Sequence, residues 1–180
     1  MPASADWRTP PDIVERARHV LGGVIDLDPA SDAEAQKTVR ATRYLTKEDD
    51  AFAGLWPFMT GRRSVFMNPP GCGGKREPRG QTPGRFWSKL MKYREQRALG
   101  HAIVIGFNIE DLSRTQAYHA EPMVHFPFCI PRERLRFIDA RTGLPGKSPS
   151  HANVIVYVPG TIDRREVFAE TFGPLGAVRL

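Results

Sequence analysis

The chain has 180 residues, 41% hydrophobic and 26% charged, with a net charge of +6. That length suits one domain with a real core, and the balance is ordinary for a globular protein. No apolar run approaches the roughly 20 residues that span a bilayer, which excludes a helical membrane protein. The two cysteines, Cys72 and Cys129, form no CxxC pair, which argues against structural zinc. The N-terminal "MPASADWRTPP" lacks the basic-then-apolar pattern of a signal peptide, so the expected location is cytoplasmic.

Charge is unevenly spread. Residues 61–97 carry ten Lys/Arg and two acids, a local excess of +8, so the rest of the chain sums to −2. The first sixty residues hold ten Asp/Glu against seven Lys/Arg. A concentrated basic segment in an otherwise near-neutral chain points to a polyanionic partner, nucleic acid first; the plainer alternative is a solvated face.

In chain order, "RTPPDIVERARHVLGG" (8–23) predicts a helix. Thr9 is placed to cap it, prolines suit the first turn, Ile13, Val14, Ala17, Val20 and Leu21 share one face, and Gly22-Gly23 end it. "VIDLDPAS" (24–31) predicts a short strand that stops at Pro29, and "DAEAQKTVRA" (32–41) a helix. "TRYLTKEDDAFAGLW" (42–56) reads as a polar loop with a brief strand, and "SVFMN" (64–68) as a strand. "GCGGKREPRGQTPG" (71–84) is an irregular stretch long enough to expect a functional role. "RFWSKLMKYREQRALG" (85–100) predicts an amphipathic helix, and "HAIVIGFN" (101–108) a strand covered on both faces. A short helix over "EDLSRTQAYH" (110–119) comes next. "MVHFPFCI" (123–130) and "RLRFID" (134–139) look like strands paired with each other; "NVIVYV" (153–158) is a buried strand and "REVFAETFG" (165–173) a closing helix. Alternating strands and helices imply an α/β fold: a mostly parallel central sheet with helices on both faces and an antiparallel edge. No repeat or linker interrupts residues 1–180, which read as a single domain.

In open α/β sheets ligands bind at the carboxyl ends of the strands. Two predicted strands end in a polar residue followed by proline, Asp28-Pro29 and Asn68-Pro69-Pro70, and both tips would face one crevice. Taken singly, each is also a common turn.

Together they form a recognisable set. "TPP" opening a helix, "LDPAS" after the next strand and "NPP" after a further one resemble the DNA amino-methyltransferases, and most closely the short phage-type DNA N6-adenine methyltransferases. The likeness is specific over residues 6–56, "VFMNPP" and "FWSKL", and weaker through "AIVIGFNIEDL", "PRERLRFID" and "NVIVYV". It implies a Rossmann-like methyltransferase fold, S-adenosylmethionine as cofactor, double-stranded DNA as partner, no metal, and a phage- or prophage-encoded protein acting in a bacterial host.

The resemblance also implies roles. Asn68, Pro69 and Pro70 would be catalytic. The Asn68 side chain and the Pro69 carbonyl would accept hydrogen bonds from the target amine, whose lone pair is otherwise conjugated into the base. The base must leave the duplex to reach them. Trp7, Thr9 and Pro10 would lie at the methionine end of the cofactor, and Asp28, Pro29 and Ala30 under its methionine and ribose. Asp50 and Phe52 would meet its adenine, with Asp49 able to exchange roles with Asp50. Lys75, Arg76, Arg79 and Arg85 would hold DNA phosphates, and "PRERLRF" adds a second basic stretch, either a DNA contact or an exposed strand face.

One position departs from the family pattern. The residue after Asn-Pro-Pro is normally an aromatic ring that stacks on the flipped base, and here it is Gly71. Phe107 is a substitute platform if it is not simply core packing. The departure keeps two alternatives open: a weak or inactive DNA-binding protein of the same fold, or an amino-methyltransferase acting on cytosine N4 or a non-DNA amine. A phosphate-loop reading of "GCGGK" fails, because Lys75 is followed by Arg76 rather than Ser or Thr.

Overall fold

A computed structural model describes residues 7–57, 63–70, 83–146 and 151–180. Seven strands form the main sheet: β2 (Leu27–Asp28), β3 (Arg43–Tyr44), β4 (Arg63–Met67), β5 (Leu99–Gly106), β6 (Phe128–Pro131), β8 (Val154–Pro159) and β9 (Gly176–Arg179). Their spatial order is β3-β2-β4-β5-β8-β6-β9. β3, β2, β4 and β5 are parallel neighbours, whereas β8 is antiparallel to β5 and to β6, and β9 is antiparallel to β6. β6 therefore runs in the direction of β5, and the carboxyl ends of β2, β4, β5 and β6 lie along one edge. A separate ribbon pairs β1 (Trp7–Arg8) with β7 (Ile138–Asp139).

Side-chain alternation divides the core between two faces. Val65 and Met67 of β4, Ala102 and Val104 of β5, and Val154, Val156 and Val158 of β8 pack with α3 (Pro83–Glu95) through Phe86, Trp87, Leu90, Met91 and Tyr93. Phe66, Ile103, Ile105, Ile155 and Tyr157 point the other way, onto α1 (Pro11–Val20) and α5 (Arg165–Phe172). Every residue of β5 is buried, as a strand covered on both faces requires. Two shorter helices, α2 (Gln36–Val39) and α4 (Asp111–Arg114), complete the fold.

Several elements differ from expectation: residues 123–125 form a 3-10 turn, so the strand predicted over 123–130 begins only at Phe128, the helix predicted over 110–119 is α-helical only over Asp111–Arg114, and β1 is unexpected. The predicted helix over residues 32–41 is reduced to one turn, because Asp32 caps it only at Glu34 and Ala35 and Arg40 takes a left-handed conformation at φ 47°. β6 and β7 do not pair with each other; β6 joins the main sheet and β7 leaves it to hold β1. The strand β9 has no apolar run, alternating half-buried and exposed, so hydrophobicity did not reveal it. Thr9 does not cap α1: Pro10 stands at that position, and its carbonyl accepts from the Ile13 and Val14 N–H groups.

Candidate functional site

β2 is flanked by β3 on one side and β4 on the other, so the chain reverses its direction of winding there. A crevice beyond the strand ends is expected at such a point. The β2 tip carries Asp28-Pro29 and the β4 tip carries Asn68-Pro69-Pro70, so the structure brings the two predicted tips to adjacent strand ends.

The two strands are locked together upstream of these tips. Asp26 and Ser64 exchange four bonds: the Asp26 N–H donates to the Ser64 carbonyl (3.1 Å) and Oγ (3.0 Å), and the Ser64 N–H and hydroxyl donate to Asp26 Oδ2 (2.8 and 3.0 Å). Asp26 is thereby a structural acid, and its register sets where the functional tips fall.

Asn68 is half-buried and Pro69 is buried. The Asn68 amide nitrogen donates to Thr9 Oγ1 at 3.0 Å, across 59 residues of sequence. Thr9 is 7% exposed, so this bond is shielded from water. It also fixes the amide: with Nδ2 committed to Thr9, Oδ1 is left as an acceptor to which no described residue bonds. The hydroxyl that sequence reasoning assigned to a helix cap instead holds the predicted catalytic amide.

Asp28 is engaged within its own turn. It is 2% exposed. Its Oδ1 accepts from the Ala30 N–H (3.2 Å) and its Oδ2 from Gln36 Nε2 (3.1 Å), and Gln36 also donates to Ser31 Oγ at 2.7 Å. Burial raises its pKa to about 7, against the bonds from Ser31, Ala30 and Gln36 that lower it. Its carboxylate thus organises the turn 28–36. Arg8 closes the same turn from the β1 side through an ion pair with Asp32 at 2.8 Å.

Asp49 and Asp50 are separated by their partners. Asp49 Oδ2 accepts from the Thr46 N–H (2.7 Å) and hydroxyl (2.8 Å), a reciprocal cap of the 3-10 turn Lys47–Asp49. Asp50 is exposed in a left-handed conformation at φ 38°, and only its Oδ1 is used, by the Phe52 N–H at 3.0 Å. The acid available to a ligand is therefore Asp50. Phe52 packs 4.7 Å from the Phe86 ring, and the Arg85 guanidinium lies 4.1 Å over its face. Arg85 thus joins the Asp50–Phe52 group rather than standing out as an isolated cation.

Other members of the basic segment are also engaged internally. Lys89 donates to the Ala51 carbonyl at 2.6 Å and to that of Gly54, and Arg94 to Glu121 (2.7 Å) and the Pro159 carbonyl (2.9 Å). Arg63 sits 3.6 Å from Asp26. Lys75, Arg76, Arg79 and Gly71 lie outside the described residues.

Phe107 belongs to neither core cluster. It follows the last residue of β5, is half-buried, and its ring centre is 4.8 Å from that of His151. Asn153 Nδ2 holds the Phe107 carbonyl at 3.0 Å. Gly106 permits this turn: a Cβ there would lie 2.5 Å from Val154 Cγ1. Because Met67 is opposite Val104, Asn68 and Phe107 leave adjacent strands at the same edge and on the same side of the alternation. Of the remaining expected residues, Trp7 and Pro10 flank Thr9 at the entrance to α1, and Ala30 follows Pro29 in the Asp28 turn.

Among the described residues, no group of three His, Cys, Asp or Glu is arranged to hold a metal ion, and no helix is long and apolar enough to cross a membrane. In comparisons with known proteins the chain matches no family model, no curated protein and no solved structure.

Proposed function

We propose that this chain transfers the methyl group of S-adenosylmethionine to the exocyclic N6 amine of adenine in DNA. The observation that carries this reading is the Asn68–Thr9 hydrogen bond at the strand-end crevice, which turns an Asn-Pro-Pro unit into an aimed acceptor. The seven-stranded α/β sheet, parallel through β3, β2, β4 and β5 and antiparallel beyond, is compatible with a Rossmann-like methyltransferase fold.

The residues that would meet the cofactor fit it unequally. Asp50 has a carboxylate oxygen free of described partners, suited to the amino group of an adenine, whereas Arg85 already lies over a face of the Phe52 ring. Asp28 fits less well, since both its oxygens serve the turn behind it. When bound, S-adenosylmethionine would supply an electrophilic methyl on sulfonium.

The chain's own work is to prepare the nucleophile. Asn68 Oδ1 and the Pro69 carbonyl accept from the two N–H bonds of the target amine and draw its lone pair out of conjugation. Thr9 keeps the amide from flipping, and proline rings fix the backbone on both sides, so the acceptors are set before the substrate arrives. No strongly basic side chain is needed, because the amine proton becomes acidic once the new bond forms.

The test is incubation with labelled S-adenosylmethionine and unmethylated DNA, followed by mass spectrometry of the nucleosides. The expected product is N6-methyladenine, lost on Asn68→Ala. Methylated cytosine instead would move the target to N4. No methylated base, with the methyl donor still bound, would establish the second reading, a binding protein of the same fold; Gly71, in the place of the family's stacking ring, is the observation that favours it.

A further inference from the structure

Resting on that reading, we infer that the DNA strand entering the site is held by a second surface, a groove between the start of α1 and the tail of β6, with Arg132 and Arg136 as its phosphate contacts. The groove has a volume of about 520 Å³ and is lined by Pro10, Pro11 and Asp12 of the α1 entrance and by residues 131–136. Volumes of that order accommodate small ligands or a short length of chain.

Position is the first reason. β6 runs parallel to β5, so its tail emerges at the same sheet edge as Asn68. The groove wall begins at Pro10, the residue after the threonine that holds Asn68. A strand lying in the groove therefore leads directly to the acceptor pair.

Chemistry is the second. Arg132, Arg134 and Arg136 are exposed, and the intervening Leu135 is buried in the core, which turns Arg134 and Arg136 outward together. Residues four apart in an extended segment lie at most about 13 Å from each other, so Arg132 and Arg136 can reach phosphates at most about two steps apart along an extended nucleic-acid strand. Guanidinium forks match phosphate oxygens two at a time. The floor suits a sugar-phosphate chain as well: Pro131, Pro145, Pro174, Leu175 and Ile138 are rigid or apolar and offer little competition for its oxygens. Proline at 10 and 11 leaves the Asp12 N–H as the first donor at the α1 end, so the helix terminus contributes little and the arginines carry the attraction. Asp12 and Glu133 also line the groove and would repel phosphate, so the groove favours a strand that tracks the arginine side.

The contrast with the segment 61–97 is the third. There Arg63, Lys89 and Arg94 are committed to internal partners and Arg85 to the Phe52 ring. Four of the ten cations of that segment are therefore engaged within the fold, while Arg132 and Arg136 are exposed on the groove.

The experiment measures binding of a fluorescein-labelled, mixed-sequence DNA duplex by anisotropy across a salt series, for the wild-type chain and the double variant Arg132→Ala/Arg136→Ala. Each phosphate contact contributes about 0.9 to the slope of log affinity against log salt, so the variant should lose about 2 from that slope and bind more weakly at every sequence. The double Lys variant should keep the slope while losing part of the affinity, as expected when a fork becomes a point charge. S-adenosylmethionine affinity, measured by calorimetry on the same proteins, should not change. An unchanged slope in the Ala variant, or no binding by the wild type, would overturn the groove assignment. Failure of the methyl-transfer assay with the slope change intact would instead remove the proposed reaction and leave the groove standing.

Discussion

The two halves of the sheet are built alike and finished differently. Both bury alternate side chains against helices on the two faces. In the antiparallel half the strand ends are tied off by the backbone: the Gly160 and Ile162 N–H groups donate to the Gly100 carbonyl, and the Arg132 N–H to that of Leu175. In the parallel half the ends at Asp28-Pro29 and Asn68-Pro69-Pro70 cannot be extended, since proline offers no donor. Parallel strands must also each finish at the same edge before crossing back, so their unpaired ends accumulate there. The lesson is that polar groups outside the ladder gather where the ladder is forced to stop, and stability is supplied where it is not.

Substituting the core beneath the parallel half is expected to have the largest effect. Trp87 is fully buried, packs edge-on against Phe126 at 5.4 Å and donates to the Glu121 carbonyl at 2.9 Å. Trp87→Ala should cost about 3–5 kcal/mol of stability, read by chemical denaturation. If the halves are one cooperative unit, hydrogen exchange should rise in β4 and β6 alike; a rise confined to β4 and β5 would show the halves to be separable.

Asn68→Ala tests the opposite property of the same half. It should lower methyl transfer by about 10²–10³ while costing no more than about 1 kcal/mol of stability, the worth of one hydrogen bond. Thr9→Val should reproduce part of that loss by releasing the amide. A large stability loss in either variant would mean that the tip is structural.

Phe107 lies between the halves, at the end of the last parallel strand and against His151 just before the first antiparallel one. If its ring is the platform for the target base, Phe107→Ala should cost about 1–3 kcal/mol in DNA substrate binding, with Phe107→Tyr restoring it. Equal KM values for the two variants would leave the ring without that role.

Asp28 gives the most pH-dependent effect. Its pKa is raised from 3.8 to about 7 by burial. An acid with a raised folded-state pKa contributes stability that is complete below 3.8 and is lost as pH rises through about 7. Relative to Asp28→Asn, the wild type should therefore become progressively less stable across that window, followed by thermal melts at several pH values. A pH-independent difference would show Asp28 to be solvated and free to face the crevice.

Much of this was legible in advance because it is local. Hydrophobic runs and periodicity placed α1, α3, α5, β4, β5 and β8, since burial on one or both faces writes itself into spacing. The strand stops at Asp28 and Asn68 were legible from the prolines that follow them. Failures came where a residue's partner is remote or its pattern is weak. β9 carries no apolar run, and β7 shows its role only once β1 is beside it.

The sequence by itself determined the α/β alternation, the two strand ends and the residue types placed at them. Only the tertiary structure decided what each polar group faces. Thr9 reads as a helix cap until the chain closes and brings Asn68 to it. Asp28 stands in sequence as a bare strand-end acid, and only the fold shows that Ala30 and Gln36 donate to its two oxygens. The cations of residues 61–97 read as a DNA face until Asp26, Glu121, Phe52 and backbone carbonyls are seen to hold four of them. The reason is physical: burial is a property of a residue and its neighbours in sequence, whereas a hydrogen bond or an ion pair belongs to two groups that only folding brings together.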